Sequence, residues 1–141
     1  MNLFAMLLAI LAGIFTTIES SINSQLGKYL TPSIATLHSL IVGLTFMFFI
    51  NLFLGNLPRY AKVASVNPFW LIGGFFGAFI IYLSSKSIPR LGISSTLILI
   101  LAGQLVSGLL IDALFNNAEI SFKKMAGMIM FLAGAVIFLQ E

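Results

Sequence analysis

The sequence predicts an all-α integral membrane protein, a helical bundle with five transmembrane helices per chain, on three observations. Hydrophobic residues make up 60% of the chain and charged residues only 8%. The mean hydropathy is +1.11, so too little polar side chain is left to solvate a globule of 141 residues. Crossing a bilayer takes on the order of 20 apolar residues, and such runs fall at 3–27, 33–54, 69–87, 93–115 and 122–140. Little sequence remains outside them, and residues 1–141 read as a single five-helix transmembrane domain.

This composition leaves no room for a soluble catalytic or nucleic-acid-binding domain. The formal charge of +3 comes from loop lysines and arginines rather than from a basic patch for nucleic acid. No cysteine is present, so thiolate chemistry and disulfides are excluded. A zinc site would have to rest on His38 and scattered carboxylates, and neither a metal nor a cofactor is expected. No basic residue precedes the first apolar run, which is also too long for a signal-peptide core. It reads as a mature helix.

The first segment organises the rest. At about 100° per residue, Asn2, Ala5, Ala9, Ala12, Gly13, Thr16, Glu19, Ser20, Asn23 and Gly27 fall within a sector roughly 120° wide. Leu3, Leu7, Ile10, Leu11, Ile14, Ile18 and Ile22 point away from it. A small, polar stripe with a carboxyl in its middle is a face that lipid does not tolerate, and it is expected to line a wet interior shared between subunits. The segment ends near Gly27-Lys28-Tyr29-Leu30-Thr31-Pro32, a tight turn that makes the first two helices antiparallel neighbours.

The second segment begins at Ser33, carries Thr36, His38, Ser39 and Gly43 in its first turns and is almost purely apolar thereafter. A loop over 55–68 follows, with Trp70 marking the opposite interface. The third segment holds Gly73, Gly74, Gly77 and Ala78, small residues that let a neighbouring backbone approach, and packing is the reading given to Gly73 and Gly77. It is expected to end at Ser84-Ser85-Lys86, with Ile88-Pro89-Arg90-Leu91-Gly92 as a short turn. In the fourth segment Gln104, Gly108 and Asp112 recur on one face. The fifth starts at Phe122, with Lys123 and Lys124 able to snorkel, and its Gly127 and Gly134 share a face suited to a helix seam.

Five spans put Lys28, Lys86 and Arg90 on one side and Arg59, Lys62, Lys123 and Lys124 on the other. Three charges against four barely orient the chain. Insertion in both directions would give an antiparallel homodimer with its two-fold axis in the membrane plane. A single orientation with the N-terminus in the cytoplasm is the other reading.

At about 1.5 Å of rise per residue, Glu19 lies roughly 10 Å inside the end of the first helix, with His38 at a similar depth inside the second. Asn23 and Ser39 are close in depth, so one hydrogen-bonded pocket can hold all four. An unpaired carboxylate there costs several kcal/mol, so Glu19 must be neutral, paired or in contact with cavity water. It either exchanges a proton in a transport cavity or merely ties two helices together. Gln104 lies near mid-membrane and needs a partner across helices. Asp112 is close to a helix end, where a cross-protomer contact and a helix-end role are equally open.

Several stretches together resemble the YdcZ-like branch of the drug/metabolite transporter superfamily. They are Gly13 to Leu26 with Asn23 as its fixed point, Asn67-Pro68-Phe69-Trp70 leading into Gly73-Gly74-Phe75-Phe76-Gly77-Ala78, Leu91-Gly92, Ala102-Gly103-Gln104-Leu105, Leu109-Leu110-Ile111-Asp112, and Gly127 with Gly134. The resemblance covers nearly the whole chain in order. It implies a small bacterial inner (plasma) membrane multi-pass protein of transporter-like fold, working as a homodimer or a pair, with opposed protomers as in the small multidrug resistance transporters. Asn23 and Gln104 match the family pattern. Glu19 replaces the glutamine expected four residues before the asparagine, so a proton-coupling role for it would belong to this protein alone.

Three functions follow in order of fit. The first is a secondary transporter moving a small polar or cationic solute by alternating access around Glu19, Asn23, His38 and Gln104. The second is a membrane assembly or accessory protein that packs against other membrane proteins. An enzyme comes third, because no nucleophile-base pair or metal-ligand cluster is visible. The expected partners are the lipid bilayer, a small-molecule solute and a second copy of the chain.

Overall fold

The computed structural model describes residues 2–115 and 121–140, and among them every regular element is helical. The elements are α1 (Leu3–Tyr29), α2 (Pro32–Phe53), α3 (Gly73–Leu91), α4 (Ile93–Phe115) and α5 (Phe122–Leu139). Two 3-10 helices, Leu57–Ser65 and Pro68–Ile72, lie between α2 and α3. All five spans are long and apolar enough to cross a membrane, the third counted from Pro68 to Leu91. The chain forms two compact units, Met1–Arg90 and Leu91–Glu141. The single domain expected over 1–141 takes in residues 1, 116–120 and 141, which lie outside the described residues.

Local chemistry explains where the helices begin. Asn2 caps α1 by accepting from the Phe4 amide at 3.1 Å, and Thr31 caps α2 by accepting from the Ile34 amide at 3.3 Å. Pro32 follows at the first position of α2, where a missing N–H is harmless. Ser121 caps α5 through the Lys124 amide at 3.3 Å.

The sequence expectation for the third span needs correcting at both ends. Pro68–Ile72 winds as a 3-10 helix and α3 proper starts at Gly73. At the other end α3 runs through Pro89 to Leu91, where a turn had been expected. Proline so near a C-terminus removes only one backbone bond, and the Arg90 Nη1 donates to the Lys86 carbonyl at 2.7 Å, holding the last turn. The turn is instead made at Gly92, whose φ of 80° lies in the left-handed region. The expected loop over 55–68 is mostly the 3-10 helix Leu57–Ser65.

Burial is inverted relative to a water-soluble protein. Among the described residues the buried polar ones are Ser20, Asn23, Ser24, Thr36, Ser84, Ser85 and Thr96, while the buried hydrophobic ones are only Ala35, Ile88 and Ala135. Leucines, isoleucines and phenylalanines along every span are exposed. In the first unit α1 and α2 pack together, with Gly27 facing Pro32 and Ala35. In the second, α4 and α5 pack on each other. Small polar side chains lie inside because they let helices approach, and large apolar ones face out because lipid accepts them.

Candidate functional site

The polar ends of α1 and α2 meet side by side, joined by a two-step hydrogen-bond chain. Asn23 Nδ2 donates to Ser39 Oγ at 3.1 Å, and Ser39 Oγ donates to Glu19 Oε1 at 3.3 Å. Glu19 and Asn23 lie one helical turn apart on α1, so one hydroxyl from α2 serves both. Asn23 is only 4% exposed and is packed between the two helices. Glu19 is exposed, with its carboxyl at the rim of the contact. Because α1 continues to Tyr29, Glu19 lies ten residues, or about 15 Å, inside the helix end.

Of the predicted site residues, the structure brings Glu19 and Asn23 together through Ser39. His38, one position and about 100° away from Ser39, is exposed and takes no part in the chain of hydrogen bonds. Gln104 belongs to the second unit and is exposed on α4. Asp112 is half-buried in the last turn of that helix and is engaged in an interaction of its own. A Cβ built on Gly73, Gly77, Gly127 or Gly134 meets nothing within 4 Å in the described chain. No set of three or more metal-ligating side chains comes together among the described residues.

The polar stripe of α1 is less uniform than its sequence suggests. Thr16 and Thr17 donate to the Ala12 and Gly13 carbonyls of their own helix, at 2.9 and 3.0 Å, so these hydroxyls need no outside partner. Ser20 and Ser24 are buried within the chain. Glu19 is thus an exposed group deep in the stripe with unspent hydrogen-bonding capacity, since one carboxylate oxygen accepts a single bond. What the sequence reading missed lies one turn further along. Lys28 in the last turn of α1 and Lys86 and Arg90 of α3 border one cavity, which their common membrane side and the i, i+4 spacing of Lys86 and Arg90 could have signalled.

Neither a curated protein nor a solved structure matches the chain. One family model does, over residues 4–137, and its description is "Putative inner membrane exporter, YdcZ". The match runs through all five spans, and the chain belongs to the DMT_YdcZ family.

Proposed function

We propose that the chain is one protomer of a secondary exporter that moves small polar or cationic solutes by alternating access, as an antiparallel homodimer, with Glu19 exchanging a proton for the solute. The observation that carries this reading is the exposed Glu19 carboxyl on a membrane-spanning helix, steadied by Ser39, which is itself anchored by buried Asn23. A carboxyl at that depth is too costly to leave against acyl chains, so a polar, watered space must cover this face of α1. A second protomer supplies the other wall of that space, and rocking of the two about it opens it to either side. Open glycine faces on α3 and α5 suit close approach by a second copy. Exposed Gln104 is a separate polar candidate, to be tested by its own substitution.

The absence of cysteine makes the test direct. Thr16 lies three residues before Glu19 on the same face, and T16C is expected to react with a membrane-impermeant thiol reagent at a rate that changes with pH. The thiolate is the reacting form, so labelling varies with pH in any background; E19Q in the T16C background should keep the reaction and remove only the part of its pH dependence that exceeds that of a free cysteine. Absence of labelling from either side of the membrane would defeat the transport reading and favour an assembly or accessory role. A pH profile of labelling that is the same in T16C and in T16C with E19Q would return Glu19 to a helix-tying role.

A further inference from the structure

At the other end of the α1–α2 contact lies a cavity of about 470 Å³, bordered by Lys28 in the last turn of α1 and by Ser85, Lys86, Pro89 and Arg90 at the end of α3. These three cations are the whole basic complement of that side of the membrane, gathered around one space. Among the described residues no carboxylate pairs with any of them. Two of the three are positioned by the protein. The Lys86 ammonium lies 5.7 Å from the centroid of the Tyr82 ring, and Arg90 spends one of its five N–H groups on the Lys86 carbonyl.

A second observation is independent of charge. Ser85, in the wall of this cavity, is 1% exposed and its hydroxyl has no hydrogen-bond partner. Nearby Ser84 shows the ordinary solution, donating to the Ile80 carbonyl at 2.7 Å. A buried donor without an acceptor is rare; among the described residues Ser24 and Ser85 are the two, and Ser85 is the one that borders a space ringed by positive charge. Helix-dipole stabilisation accounts for Lys28 and Arg90 singly, each near a helix C-terminus. It accounts neither for their convergence with Lys86 on one cavity nor for the orphan hydroxyl.

We propose that this cavity is a binding site for a phosphate group, taken from the phosphodiester of an anionic phospholipid or from free phosphate. Lysine and arginine supply charge-assisted donors and Ser85 a neutral one, the set that a tetrahedral oxyanion uses. Neighbouring Tyr29, 86% exposed at the end of a span, places the cavity at headgroup level, within reach of a lipid. The proposal does not depend on transport, and its test measures none.

The experiment follows the melting temperature of the full chain in a neutral detergent as phosphatidylglycerol, phosphatidylcholine or inorganic phosphate is added. Phosphatidylglycerol is expected to raise it at concentrations where phosphatidylcholine does not. K28Q, K86Q and R90Q should each weaken the response about tenfold, and S85A about fivefold, as expected for losing one charge-assisted or one neutral bond. R59Q with K62Q, on the opposite side, should leave it unchanged. Stabilisation by inorganic phosphate as well assigns the site to free phosphate, and stabilisation by the lipid alone assigns it to the headgroup. If a glutamine variant fails to fold, R90K keeps the charge, loses the fork geometry and should still weaken the response. Equal responses to the two lipids with no response to inorganic phosphate, or equal responses of the parent and the variants, would overturn the proposal.

Discussion

Glu19, Ser39 and Asn23 divide one task between an exposed and a buried end, and the two ends respond differently to substitution. Removing the hydroxyl with Ser39→Ala leaves the Asn23 amide without its acceptor at 4% exposure, which should destabilise the fold by about 1–3 kcal/mol. Glu19→Gln keeps an oxygen that accepts from Ser39 on an exposed side chain, and its melting temperature should stay near that of the parent. Thermal melts of the two variants in detergent check the contrast. Depth counted from the helix ends brought Glu19, Asn23, His38 and Ser39 to one level from sequence alone. Depth does not say which of two adjacent side chains turns toward α1. The packing of α1 on α2 chose Ser39 and left His38 outside.

Helix boundaries follow the same division. The fourth span was legible to the residue as α4, Ile93–Phe115, whereas the caps at Asn2, Thr31 and Ser121 came from the structure. Pro89 misled the sequence reading because a proline usually ends a helix, whereas α3 tolerates it close to a C-terminus and turns at Gly92 instead. Two glycines test this account. Gly92→Ala forces a Cβ into the left-handed region and should cost about 1–2 kcal/mol. Gly27→Ala places its methyl 3.5 Å from Pro32, an ordinary contact, inside a helix, and should stabilise the chain by about 0.5–1 kcal/mol. Opposite shifts in melting temperature are the expected result.

For the whole molecule, the outward apolar surface and inward hydroxyls describe a chain whose solvent is the bilayer. Its loop charges give that solvent little to orient by, with three basic residues on one side against four on the other. Reporters fused after the C-terminus should therefore signal from both sides of the membrane, and adding two lysines to either set should make one side dominate. A parent fusion that reports from one side alone would remove the antiparallel homodimer from the proposed function.

The sequence by itself determined the class of this protein: a helical chain with five segments long and apolar enough to cross a membrane, and with polar groups gathered at one end of its first two helices. That much follows because a backbone in hydrocarbon must satisfy its own hydrogen bonds, which leaves the helix as the form for such apolar runs and makes depth a matter of counting residues. Tertiary structure alone decided the rest. It buried Asn23 while leaving Glu19 open, and drew Lys28, Lys86 and Arg90 around one cavity. The rotation of each helix about its axis is set by side-chain packing between segments distant in sequence, and residue spacing along one helix does not encode it.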